Sequence, residues 1–137
     1  MNKIIFLSIY LLVCFNYITI AQATGDRRQL YVIELNAESK NFVDQLRLDV
    51  LPGDSIQFKS TGGDFSIYII DAINFLSIED RDLKVRVNSD DPENTQSLVY
   101  IVQKAIVDRP EIPYSVYNIT DNSWPDAPPR IIIGTAN

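Results

Sequence analysis

The chain has 137 residues and a formal net charge of −6, and it contains no His, one Cys and one Met. Because an acidic chain lacks the basic surface that phosphate binding requires, we expect no nucleic-acid partner. The same charge disfavours attraction to an anionic membrane surface.

The amino-terminal residues have the pattern of a secretory signal peptide. Lys3 precedes an apolar run over Ile4–Ile20, which ends at the small-x-small site Ala21-Gln22-Ala23. An uncleaved anchor is the alternative, since a run of about 17 residues is near the lower limit for a membrane span. The small-residue site favours cleavage. We therefore expect a signal at residues 1–23 and a secreted or periplasmic domain, no longer attached to the membrane, at residues 24–137.

The composition of the mature domain excludes several kinds of chemistry. Loss of Lys3 leaves 11 basic against 18 acidic residues, a net charge of −7, and Cys14 and Met1 are lost with it. No imidazole, thiol or thioether remains, so disulfides and the usual ligands of copper, zinc, haem and iron–sulfur clusters are missing. Ser-His-Asp and Cys-His catalysis are excluded as well. We expect no cofactor and no metal.

Alternating apolar and polar residues, separated by turn signals, predict about eight short strands. The segment Asn36–Gln45 fits either a short helix capped by Asn36 or a bulged strand. Leu98–Ile106 is apolar on both faces, which predicts a central strand covered on both sides. The pattern predicts one all-β domain, an antiparallel β-sandwich of Greek-key type. The predicted strands are Leu30–Leu35, Leu46–Val50, Ser55–Lys59, Phe65–Ile70, Leu83–Val87, Leu98–Ile106, Tyr114–Thr120 and Arg130–Ile133.

The clearest turn signal is Pro52-Gly53-Asp54, between two strands of alternating pattern. A turn of this sequence favours a positive φ at Gly53. With its flanks, Val50–Lys59, it resembles the cupredoxin family, the sandwich of plastocyanin-like copper proteins. A second resemblance is the closing pair of strands, Tyr114–Thr120 and Arg130–Gly134. The resemblance implies a cupredoxin-like sandwich.

The resemblance also implies where the family's copper site would lie in this chain. The family's first copper-binding His would fall near Ser66, and the loop Asp121–Pro129 would carry a Cys, a His and often a Met. None of these residue types is present there. A type 1 copper site requires two His and a Cys thiolate, so the resemblance implies the fold without the site, and fold alone does not carry function.

The candidate site follows from the same comparison. It places the loops Thr61–Asp64 and Asp121–Pro129 at one end of the sandwich. We therefore predict a ligand-binding cluster of five residues that are distant in sequence: Asp64, Ser66, Asp121, Asn122 and Trp124. Trp124 is either an aromatic platform for a sugar ring or protein partner, or a plug that closes the end of the core. Because Trp is highly buried on average, we expect the plug.

Three acidic segments, 79–82, 90–94 and 121–126, suggest a hard-cation site. Calcium requires about six to eight oxygen ligands, and no segment has the EF-hand spacing, so we interpret them as solvated loop charge. Asn118-Ile119-Thr120 also matches a glycosylation sequon.

Two classes of function stay open. The first is a non-catalytic interaction module for a protein or glycan partner. The second is a small hydrolase, which would need two carboxylates ~5–10 Å apart across a groove. A calcium-binding extracellular module is a further alternative. We expect the interaction module, because the usual catalytic residue types are missing and a one-domain sandwich offers little cleft.

Overall fold

The computed structural model describes residues 28–103 and 111–134, so the predicted signal at residues 1–23 lies outside the described residues. The all-β class is confirmed: apart from one 3-10 turn at Ala72–Asn74, the regular elements of this part are strands. No helix within the described ranges is long and apolar enough to span a membrane. The strands are β1 Leu30–Asn36, β2 Arg47–Val50, β3 Ser55–Gly62, β4 Asp64–Ile69, β5 Leu83–Asn88, β6 Tyr100–Ile101, β7 Glu111–Pro113, β8 Ser115–Asn118 and β9 Arg130–Ile133.

The strands form three small sheets of three strands each, here called ladders, in the orders β1-β3-β6, β5-β4-β8 and β2-β9-β7. Only Tyr114 separates β7 from β8, so the last two ladders adjoin through one nearly continuous segment. Two pairs, β1 with β3 and β2 with β9, are parallel, whereas we expected antiparallel pairing throughout. The reason is topological. Between β1 and β3 the chain leaves their ladder to form β2, and it returns running in its original direction.

Two other expectations about single segments were wrong. Within the described part of Leu98–Ile106, only Tyr100–Ile101 is a strand, and β6 lies at the edge of its ladder with Leu98 78% exposed. Glu111–Pro113, which is not among the predicted strands, forms β7. Pro113 is tolerated there because β7 is also an edge strand, where a missing N–H breaks no central ladder.

Asn36 ends β1, and the rest of the segment Asn36–Gln45 is neither a helix nor a bulged strand. It is a series of turns held by one bridge between Leu35 and Val43. The side chain of Asn36 accepts a hydrogen bond from the backbone N–H of Glu38 (2.9 Å), an interaction that competes with a helix. Phe42 has a positive φ of 63°, which ends any regular run at that point.

The core lies between the inward faces of the ladders. Alternate residues of β3, β4 and β5 are buried, as the period of two predicts. The ring of Phe58 in β3 meets that of Tyr114 edge-on, with centroids 5.8 Å apart. Burial of Tyr114 raises the pKa of its phenol, because the low-dielectric interior disfavours the phenolate.

The Pro52-Gly53 turn is confirmed, with φ of 97° at Gly53. The backbone N–H of Asp54 donates to the carbonyl of Leu51 (3.0 Å). The buried carboxylate of Asp54 accepts backbone N–H bonds from Leu51 (2.8 Å) and Gln29 (2.9 Å). This one side chain therefore fixes both the turn and the start of β1.

Candidate functional site

The two loops expected at one end of the sandwich do lie together. The backbone N–H of Ile119 donates to the carbonyl of Asp64 (2.7 Å), and the backbone N–H of Asp64 donates to the hydroxyl of Thr120 (3.1 Å). Since β4 and β8 pair along their length, this contact is the continuation of their ladder into the loops. The start of β4 and the first part of the loop, residues 119–124, therefore share one end of the domain.

The outward face of the β5-β4-β8 ladder brings further side chains to this end. Ser66 in β4 pairs with Arg86 on one side and with Tyr117 on the other. The guanidinium of Arg86 binds the carboxylate of Asp64 through two hydrogen bonds, Nε–Oδ1 at 3.0 Å and Nη2–Oδ2 at 2.5 Å. The Asp64 side chain is only 13% exposed, and its carboxylate raises the pKa of Arg86. This is a bidentate Arg–carboxylate ion pair, and its two parallel hydrogen bonds hold the side chains of Arg86 and Asp64 in one relative orientation.

Trp124 is exposed, so the expected core plug was wrong. Its side chain is 65% exposed and packs on Tyr117, with ring centroids 4.7 Å apart and an interplanar angle of 52°. The end of the core near Asp64 is filled instead by Phe42 and Phe65, whose rings lie 5.9 Å apart. With that space occupied, the indole remains on the surface.

The loop that carries Trp124 is held by hydrogen bonds. Asn118, which is fully buried, donates from Nδ2 to the Asp121 carboxylate (2.9 Å). The backbones of Asn118 and Ser123 exchange two hydrogen bonds (3.0 and 3.1 Å). Asn122 has φ of 53°, a left-handed conformation that Asn tolerates well, and its side-chain oxygen accepts a hydrogen bond from the Tyr117 hydroxyl. The buried, bonded amide also means that Asn118 is no surface glycosylation acceptor in this fold.

The structure thus brings the five predicted residues to one end of the domain. Asp64 and Ser66 lie on β4, Asn122 and Trp124 contact Tyr117, and Asp121 is tied to Asn118. Ligand binding by these residues stays a prediction. We refer to Asp64, Ser66, Arg86, Tyr117, Asn122 and Trp124 as the Trp124 surface.

Sequence reasoning missed Arg86 and Tyr117 as members of this surface. The alternation in Leu83–Val87 puts Arg86 on the outward side of its strand, but it does not reveal that β4 pairs with both β5 and β8. Strand order is set by long-range pairing, so alternation alone could not find these two neighbours of Ser66.

Two features border the Trp124 surface. On the β5 side, a small polar cleft of about 250 Å³ is lined by Arg86, Asn88, Asp91 and Asn94. Hydrogen bonds, first from the Asn94 amide and then from the backbone, lower the pKa of Asp91. On the loop side, Lys40 pairs with Asp126 at 3.5 Å.

Tyr68, a further aromatic side chain on the same sheet face, is less accessible to a ligand than Trp124 and Tyr117. Tyr68 lies between Lys84 and Ser115 in the ladder, and the ammonium of Lys84 lies over its ring, 5.7 Å from the centroid. Its hydroxyl donates to Asp82 (2.7 Å). The exposed aromatic platform on this face is therefore formed by Trp124 and Tyr117.

A second groove, of about 510 Å³, lies at the start of β5. It is lined by Glu79, Asp80 and Asp82 together with apolar and basic neighbours, including Leu98, Tyr100 and Lys84. The backbone N–H of Asp71 and then the Tyr68 hydroxyl lower the pKa of Asp82, so this carboxyl is held ionised. Among the described residues, no group of three or more His, Cys, Asp or Glu is arranged to hold a metal ion.

Comparison with known proteins gives a likeness in fold. No protein-family model matches the chain, and no curated protein matches it. Among solved structures, the reduced Cu(I) form at pH 4 of an amicyanin mutant is similar, with 11% sequence identity over 83% of this chain and 89% of the other, and a TM-score of 0.49. Amicyanin is a cupredoxin. At this identity and TM-score the likeness establishes neither a family nor a function, and the all-β class rests on the strands of this chain.

Proposed function

We propose that this chain is an exported, copper-free binding module, which presents the Trp124 surface to a protein or glycan partner. The observation that carries the proposal is the position of Trp124. A large aromatic side chain that is 65% exposed, yet held against a second ring, lies at the end of the domain where the loops gather. Trp and Tyr are the residues that most often dominate binding energy at interfaces.

The support beneath the indole favours binding over accidental exposure. Tyr117 is fixed both by its place in β8 and by the hydrogen bond to Asn122, and the loop is closed by the Asn118–Ser123 bridge. A platform that is already ordered loses little conformational freedom when a ligand binds, which strengthens affinity. These contacts determine how the ring is displayed, and they make a defined target for mutation.

Catalysis is the less well supported alternative. A carboxylate hydrolase of the usual kind requires one carboxyl group with a raised pKa to act as the general acid. In the acidic groove beside β5, the pKa of Asp82 is lowered, and its oxygens are engaged by Tyr68 and Asp71. The proposal therefore assigns a non-catalytic role. Export is supported by the signal-like pattern of residues 1–23.

The test compares the purified protein with its Trp124→Ala variant. Both are labelled and applied to a glycan array and to an array of purified extracellular proteins, and their melting temperatures are compared to establish that the variant is folded. We expect a specific ligand whose binding is weakened by about tenfold or more in the variant. Equal binding by the two proteins to every ligand found would contradict the proposal.

A further inference from the structure

We infer that the ligand of the Trp124 surface is a neutral saccharide. This inference rests on the proposed function, because it names the class of ligand for the same surface. Three observations carry it: the small extent of the aromatic platform, the polar character of its surroundings and the balance of charge around it.

The apolar part of the surface is too small for a typical protein partner. A stable protein interface buries about 800 Å² on each side around an apolar core from which charges are depleted. Here the platform consists of two rings, and the ion pair of Asp64 and Arg86 lies on the same face. The other exposed large apolar side chains of the described residues lie outside β4, β5, β8 and the loop 119–129; they are Leu30, Leu46, Leu51, Ile70, Ile73, Leu98, Val99 and Ile101.

A sugar ring presents the complementary chemistry. One face of a pyranose carries C–H groups that pack on an aromatic ring, while its edge carries hydroxyls that both donate and accept hydrogen bonds. The Trp124 surface has an aromatic ring for the first of these contacts. For the second it has the amide of Asn122, the hydroxyl of Ser66 and the ion pair of Asp64 and Arg86. Ligand sites of this kind combine an apolar contact with a few polar groups at fixed positions.

The charge around the platform favours a neutral saccharide over an acidic one. Arg86 is paired with Asp64 and Lys40 is paired with Asp126, while Lys84, two residues before Arg86 on the same face of β5, lies over the ring of Tyr68. Asp121 adds a negative charge at the base of the loop. A sulfated or uronic-acid saccharide stacked on the two rings would therefore meet cations that already have carboxylate partners, and the net negative charge of the chain disfavours an anionic ligand.

The experiment uses a set of immobilised oligosaccharides in three groups: neutral, uronic-acid and sulfated. The wild-type protein is compared with Trp124→Ala, with Trp124→Phe, and with Leu98→Ala as a matched control that removes an exposed apolar side chain from another part of the surface. Affinities for the glycans that bind are then measured by calorimetry, and melting temperatures verify folding.

We expect binding to members of the neutral group, weakened about tenfold or more by Trp124→Ala. The loss should be smaller with Trp124→Phe, which keeps an aromatic ring, and Leu98→Ala should bind within about twofold of wild type. Trp124-dependent binding to acidic glycans alone would overturn the inference while leaving the proposed binding function intact. The same holds if no glycan binds while a purified protein binds in a Trp124-dependent way. Neutral glycans that bind all four proteins equally would overturn both the inference and the proposed function.

Discussion

Replacement of Gly53 is the most direct test of the turn that joins β2 and β3. Gly53 has φ of 97°, a conformation that side-chain-bearing residues rarely adopt. A Cβ built there would meet only the Cγ of Arg28, at 4.0 Å, so there is room for a side chain and the cost arises from backbone strain. We expect Gly53→Val to lower the free energy of unfolding by roughly 1–3 kcal/mol.

The assay is urea and thermal denaturation of wild type, Gly53→Ala and Gly53→Val. For a domain that spans residues 24–137, each kcal/mol lowers the melting temperature by roughly 4 °C. Because the surrounding space is open, Gly53→Ala should show most of the loss, and Val should add only the further restriction of its branched side chain. An unchanged melting temperature in both variants would refute the strain argument. A loss confined to Val would mean that crowding, which the structure does not show, determines the effect.

Three further outcomes follow from the core, the site loop and the composition. Burial raises the pKa of Tyr114, so its contribution to the free energy of unfolding should be complete below the ordinary tyrosine pKa of about 10 and should be lost as the pH rises above that value. When stability is measured against pH in the alkaline range, Tyr114→Phe should lose stability less steeply than wild type. Equal slopes of stability against pH for the two proteins would contradict this. Asn118→Ala should cost roughly 1–3 kcal/mol of stability, because it removes the buried amide that binds Asp121, and a chemical denaturation curve that matches wild type would speak against that role. Copper added to the mature protein should give no intense thiolate-to-copper absorption band, because the expected cleavage after residue 23 would remove Cys14. Such a band would contradict the expected composition of the mature chain.

Local pattern was enough to predict the strands that form the core. The alternation in Leu83–Val87 and on both sides of Pro52-Gly53 specifies which side chains are buried, because a strand with one covered face must follow a period of two. The positive φ at Gly53 was also predictable, because a Pro-Gly-Asp turn favours that conformation at its Gly. These features depend on residues that are neighbours in sequence.

Features that depend on distant partners could not be predicted in the same way. Leu98 is apolar, but its burial depends on whether a strand lies on either side. It precedes β6, which among the described strands pairs only with β3. Trp124 could be placed in the last loop from the sequence, whereas its exposure depends on Phe42, which shares the end of the core with Phe65. Arg86 became part of the site only through the order of β5, β4 and β8.

The emission of Trp124 provides the most direct measurement of the central claim, because it is the only Trp of the chain and no other indole contributes. In the free protein its fluorescence should be strongly quenched by acrylamide, as expected for a side chain that is 65% exposed. Saturation with a neutral oligosaccharide that binds the protein should shift the emission to shorter wavelength and protect it from the quencher. Emission and quenching that remain unchanged while such a ligand binds would contradict the account, because the ligand would then lie away from Trp124.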